Sequence, residues 1–147
     1  MAKKFFTEAE QKDIIEAIKA AEKDTSGEIQ IHLENHCKKE VMERAKEVFV
    51  SLDIAKTALK NGVLFYFAVL DHKFAILGDK GINDVVPDTF WDDIKNNLQG
   101  KFRAGKFCEG ICEAIRAAGL QLKIHFPYGA DDKNELSDEI SFGSNDQ

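Results

Sequence analysis

Apolar residues recur along the chain with two periods, and the changes between them mark its elements. Ala9, Ile14, Ala17, Ile18 and Ala21 return every three to four positions and so form one stripe of a helix. Thr7 stands before the stripe and Glu10 three residues later. That is a capping box, in which each side chain satisfies an amide at the helix start. The pattern predicts a helix to about Lys23, stopped by Asp24-Thr25-Ser26-Gly27. A period of two then takes over. Ile29, Ile31 and Leu33 alternate with Gln30, His32 and Glu34, which predicts a strand over Glu28–Glu34 with one apolar and one wetter face. On this reading His32 is solvated rather than a ligand. Lys39–Leu52 returns to the helical period through Val41, Ala45, Val48, Phe49 and Leu52. Its Glu40, Glu43, Arg44, Lys46 and Glu47 are assigned to a solvated face.

Val63–Leu70 is apolar on both faces, as a central strand covered on both sides must be. Asp71-His72 turns the chain, and Lys73–Leu77 returns as the next strand. A glycine-bearing acidic loop, Gly78–Pro87, follows. Asp88 is placed to cap a helix whose buried stripe is Phe90, Trp91, Ile94, Leu98 and Phe102, broken at Gly105. A last helix carries Phe107, Ile111, Ile115, Ala118 and Leu122. These stay in phase across Gly119, so the helix is expected to continue, with a strand over Leu120–Phe126 as the alternative. Pro127 ends either. Strand, helix, strand and hairpin, with helices before and after, predict an α/β fold. The expected form is a three-layer α/β/α sandwich, a small mixed sheet of three to four strands flanked by about four helices. Its first crossover should be parallel and right-handed.

The 147 residues are 44% hydrophobic and 31% charged, enough for one domain with its own core. The net charge of −6 is unevenly spread: residues 130–147 carry −5 and the remainder −1. The expected division is a domain over 1–126 and an acidic tail over 127–147. Leu136, Ile140 and Phe142 interrupt the tail's acids, so Asn134–Phe142 is expected to dock partly on the body, with Gly143–Gln147 disordered. The near-neutral body lacks the basic footprint of a nucleic-acid binder. No apolar run approaches the roughly 20 residues of a membrane span, which argues against direct membrane insertion. Lys3-Lys4-Phe5-Phe6 is followed at once by polar Thr7, Glu8 and Glu10 rather than by the apolar core of a signal peptide, so a cytoplasmic location is expected. Three cysteines do not suit a disulfide framework. Cys108 and Cys112, four apart, share a helix face as a metal or redox pair would. No His or third Cys stands at zinc-ligand spacing, and they are read as small packing residues.

Motifs for phosphate loops, dinucleotide loops, cysteine-phosphatase loops, zinc-protease helices and serine-nucleophile elbows are absent. Chemistry here would have to run through a metal-activated water. The best metal candidates are Asp79, Asp84 and Asp88, three acids within ten residues around Gly81. Hard cations take several oxygens, and glycine lets backbone curl to supply them. The hairpin brings Asp79 back beside Asn61 and Gly62, and the parallel first strand brings Thr25–Glu28 to the same end, with Asp71 at the other. The plainer alternative is that these are solvated loop acids. Lys101, Arg103 and Lys106 form a basic spot, either solvated surface or an anion seat.

One segment also resembles the TPM-domain family, a thylakoid-lumen-type phosphatase domain. It runs Asn61-Gly62-Val63-Leu64-Phe65-Tyr66-Phe67-Ala68, then Asp71-His72-Lys73-Phe74-Ala75-Ile76-Leu77-Gly78-Asp79-Lys80-Gly81-Ile82. His72 stands where the family usually has Arg, and Asp79 where many members have the first Gly of a Gly-x-Gly. Asp88 matches the family's Asp at a helix start. Ser26-Gly27-Glu28-Ile29, and Phe102-Arg103-Ala104-Gly105-Lys106-Phe107 with Gly110, are further landmarks, so the resemblance covers about residues 7–126. It implies an α/β/α sandwich with an acidic crevice for a divalent cation, Ca²⁺ or Mg²⁺ first and Zn²⁺ next. The expected function is a small divalent-cation-binding domain acting as an interaction or maintenance and stress module, with a protein partner. The alternative it implies is a metal-dependent acid phosphatase acting on phosphomonoesters, an activity attributed to some plant members. Many bacterial members carry a signal peptide and an anchor. This chain looks like a short stand-alone bacterial form.

Overall fold

A computed structural model describes residues 5–127 and 139–143 of the chain. Helix α1 spans Glu8–Glu22 and opens on the capping box, with Thr7 and Glu10 each accepting the other's backbone N–H. Strand β1 is Glu28–Glu34 and helix α2 is Val41–Ser51. A single 3-10 turn over Ile54–Lys56 leads to strand β2, Gly62–Ala68, and strand β3, Lys73–Gly78. Helices α3 (Lys80–Asn83), α4 (Asp92–Arg103) and α5 (Phe107–His125) follow, and strand β4 is Ser141–Phe142.

The four strands make one mixed sheet in the order β3-β2-β1-β4. β1 runs parallel to β2 with Glu28 opposite Gly62, and parallel to β4 with His32 opposite Ser141. β2 and β3 are the antiparallel hairpin, with Phe65 opposite Ile76. Strand alternation sends residues to two cores. Ile29, Ile31, Leu33, Val63, Phe65, Phe67 and Ile76 pack under α1, α4 and α5. Leu64, Tyr66, Ala68 and Ala75 pack under α2 and the 3-10 turn, against Ala45, Val48, Phe49 and Ile54. This is the α/β sandwich that the periodicity predicts, and every residue of β2 is buried as its two-faced apolarity requires.

Some elements differ from the sequence reading. Asp88 does not cap α4. Pro87–Phe90 is spent on turns, with Phe90 N–H donating to Pro87 O and Asp92 N–H to Thr89 O, and Trp91 takes the cap position without a side-chain cap. Burial decides this start: Trp91 is 7% exposed, stacked edge-on with Phe90 and close over Gly78. The Gly78–Pro87 loop contains α3, capped by Asp79. Helix α5 runs through Gly119, since that glycine is a contact point and not a stop. A Cβ there would lie 2.7 Å from Ala21 Cβ, so its absence lets α1 and α5 approach.

The polar face of β1 is not wet. All seven residues of β1 are buried, His32 at 6% exposure and Glu34 at 0%. β1 lies inside the sheet, between β2 and β4, and Arg44 of α2 reaches over it. In the tail, Ile140 enters the larger core and Gly143 N–H donates to Leu33 O at 2.8 Å. The parts of the tail reading that concern 128–138 and 144–147 lie outside the described residues.

Candidate functional site

The parallel pairing of β1 and β2 sets Glu28 beside Gly62 on one side, and the exit of β3 sets Asp79 beside Gly62 on the other. Asp79 N–H donates to Gly62 O at 2.9 Å and Glu28 N–H to Asn61 O at 3.3 Å, which fixes the two residues across β2. Alternation from Val63 and Gly78, both on the larger-core side, puts Glu28, Gly62 and Asp79 on the opposite face. Gly62 has no side chain to separate the two acids. Glu28 is 2% exposed and Asn61 1%. Asn61 is held by Thr57 Oγ1, which accepts its N–H at 3.2 Å, and its Nδ2 donates to Ser26 Oγ at 3.3 Å.

Asp79 divides its two oxygens. Oδ1 caps α3 by accepting Lys80 N–H at 2.7 Å. Oδ2 is buried and accepts no hydrogen bond. A buried carboxylate oxygen without a donor costs free energy, and native proteins rarely leave one unmet. The loop holding it is rigidly placed: Gly81 N–H donates to Lys60 O at 2.8 Å, and a Cβ at Gly81 would lie 2.1 Å from Leu59 O. A buried carboxylate and a half-buried one whose Oδ2 is enclosed, around a bare glycine with carbonyls at the strand starts, suit a hard oxygen-seeking cation.

Asp84 and Asp88 are placed differently. Asp79 and Asp84 cap opposite ends of α3, and Asp84 pairs with Lys80 Nζ at 2.6 Å, raising the lysine's pKa. Asp88 is exposed in the turns before α4. Among the described residues no three His, Cys, Asp or Glu side chains gather as a metal-binding set. The acid that the fold brings nearest in register to Asp79 is Glu28, whose end of β1 the hairpin geometry had located without marking it as a ligand.

At the other end of β1 lies a buried polar cluster that the periodicity did not reveal. Arg44 clamps Glu34 with two bonds, Nε to Oε2 at 2.9 Å and Nη2 to Oε1 at 2.8 Å. His32 Nε2 meets Glu34 Oε1 at 2.9 Å and His32 Nδ1 meets Ser141 Oγ at 2.8 Å. Tyr66 O–H donates to Glu34 Oε2, and the Tyr66 ring stacks on His32. Burial alone would raise the Glu34 pKa, but the bonds from Arg44, His32 and Tyr66 prevail and hold it well below the carboxylate range. Burial and then Glu34 push the Tyr66 phenol upward. The only sequence signals were three polar residues alternating along β1 and an arginine on α2. The cluster seats β4 and keeps its oxygens satisfied, so its geometry is that of a structural lock.

The turn end of the hairpin is also tied. His36 Nδ1 and the Cys37 N–H reach Asp71 at 2.8 and 2.7 Å and lower its pKa, His36 contributing most. The predicted basic spot separates: Lys101 pairs with Glu109 and Glu113, while Arg103 lines a small hollow of about 200 Å³ with His72, Phe74, Gln99 and Phe102. That hollow is beside the β2–β3 turn, the opposite end of the sheet from Asp79.

The sequence model of the TPM domain matches residues 2–121. The chain belongs to the TPM domain family. Among solved structures this TPM domain is similar to the BA42 protein from the psychrophilic bacterium Bizionia argentinensis. They share 48% identity over 97% of this chain and 99% of that one, with a TM-score of 0.91. It shares its fold with the N-terminal domain of a P. gingivalis protein, at 17% identity, 84% and 80% coverage and TM-score 0.69. It also does so with the N-terminal domain of the cg2496 protein from Corynebacterium glutamicum, at 9% identity, 90% and 78% coverage and TM-score 0.64. No curated protein matches the sequence significantly. No helix of the described residues is long and apolar enough to cross a membrane.

Proposed function

We propose that this TPM domain is a divalent-cation-binding interaction module whose ion sits over Gly62, between Asp79 and Glu28. The observation that carries the reading is Asp79 Oδ2, buried and without a hydrogen-bond donor. Carboxylate and carbonyl oxygens favour Ca²⁺ or Mg²⁺ over Zn²⁺, which prefers nitrogen and sulfur. Asp84 and Asp88, on the same loop, act as outer acids that raise the local cation concentration. Binding would neutralise the acids at this end of the sheet and so present a defined surface to a protein partner. A phosphomonoesterase would need a cation to clamp the substrate phosphate near the metal, and Arg103 is at the far end of the sheet.

The test is a titration with Ca²⁺, Mg²⁺ and Zn²⁺ followed by backbone amide shifts. Saturable shifts are expected at 26–28, 60–62 and 79–84, and Asp79→Asn should abolish them while Asp88→Asn only weakens binding. Amides in those segments that do not move, or that move unchanged in Asp79→Asn, would overturn the site. An aryl phosphate assay run alongside separates the two roles: metal-dependent turnover lost in Asp79→Asn would replace the interaction reading with the phosphatase one.

A further inference from the structure

A second set of metal-ligating side chains lies far from Asp79, on the seam between α1 and α5. Cys108 and Cys112 are four residues apart on α5, so both thiols face α1. They line a groove of about 600 Å³ together with Glu10, Asp13, Glu16, Glu109 and Arg116. Cys112 is 7% exposed and Cys108 is half-buried. The Cys108 S–H donates to Glu10 O at 3.7 Å. Cys37, by contrast, is enclosed in the smaller core with its S–H donating to Lys39 O at 3.3 Å.

We propose that Cys108 and Cys112 form a two-thiolate seat for a soft cation, of which Cu(I) is the type, independent of the hard-cation site at Asp79. Two thiols one turn apart on one helix face, both lining an open groove, supply the two sulfurs that a two-coordinate soft ion needs. A third ligand is not required, which fits the absence of a three-residue set among the described residues. Binding breaks two S–H bonds, forms two S–Cu bonds and releases two protons to solvent, with no change in oxidation state. The groove lining holds four acids, Glu10, Asp13, Glu16 and Glu109, against Arg116, a field that draws in a cation and keeps the unbound thiols protonated. Burial pushes the Cys108 thiol up to about 12 and raises Cys112 as well. Both are therefore protonated at neutral pH and inert as nucleophiles, and only an ion with strong thiolate affinity displaces the protons. Oxygen-seeking Ca²⁺ and Mg²⁺ would not.

The experiment is an anaerobic Cu(I) titration of the reduced full chain against a competing chelator, read by the thiolate-to-copper ultraviolet band and by amide shifts. One equivalent is expected, with shifts at residues 10–17 and 108–116. Cys108→Ser and Cys112→Ala should each weaken binding by more than the roughly 100-fold that loss of an outer-shell partner costs. Cys37→Ser should leave binding intact. Cys108 is half-exposed, so its serine variant keeps the test open if replacing buried Cys112 perturbs the fold. No band in the native chain, a band surviving Cys108→Ser, or one lost in Cys37→Ser would overturn the proposal.

Discussion

Replacing Arg44 by methionine tests the lock at the Glu34 end of β1. The substitution keeps most of the aliphatic stem and removes the guanidinium that makes both bonds to Glu34. A hydrogen bond to a charged group contributes about 1.5–3 kcal/mol. The Arg44 side chain is 29% exposed while that of Glu34 is 0% exposed, so partial screening puts each bond at the low end. The loss is then about 3 kcal/mol, the lower edge of what breaking a buried pair costs. For a chain of this size that lowers Tm by about 6–12 °C. The pH dependence has a definite sign. Glu34 titrates below its unfolded value, so its contribution is complete above the unfolded pKa, near pH 4, and is lost as pH falls toward the folded one. Urea unfolding at pH 7 and at about pH 3 should therefore show a gap between native and Arg44→Met that narrows in acid. The Glu34→Gln/Arg44→Met double variant should recover part of the loss, because it leaves no buried charge unpaired. A gap below about 1 kcal/mol at pH 7, or one that widens on acidification, would refute the reasoning.

Two glycines make further tests. A Cβ at Gly143 would lie 2.6 Å from Glu34 Cβ and 3.2 Å from His32 Nε2, so Gly143→Ala should undock β4. Hydrogen exchange would then show the position-143 amide unprotected while β1–β2 amides keep their protection, and an unchanged position-143 amide would count against the lock. Gly119→Ala adds a Cβ 3.0 Å from Ala21 Cα, and the overpacking cost of about 1–3 kcal/mol should exceed the roughly 1 kcal/mol of helix propensity gained. A raised Tm in Gly119→Ala would show that α1 and α5 can separate freely.

Much of the architecture was legible in the order of apolar periods. The switch from three-to-four to two and back located α1, β1, α2, the β2–β3 hairpin and α5, because each element must bury a stripe or a face whatever it packs against. Hairpin geometry also brought Asp79 to the end of the sheet that holds Asn61, Gly62 and Glu28, a consequence of strand direction alone. The alternation of Gln30, His32 and Glu34 was read correctly as a strand and wrongly as a wet face. Period reports where polarity falls, not what covers it. Whether Glu34 faces water depended on Arg44, ten residues away, on Tyr66, thirty-two away, and on β4 at the far end of the chain. The start of α4 was likewise settled by the burial of Trp91 and not by the nearest capping residue. Local sequence thus determined the elements and the topology they allow. Only the tertiary structure decided which polar groups are buried, since a charge enters a core where distant partners meet its bonds and stays in water where they do not.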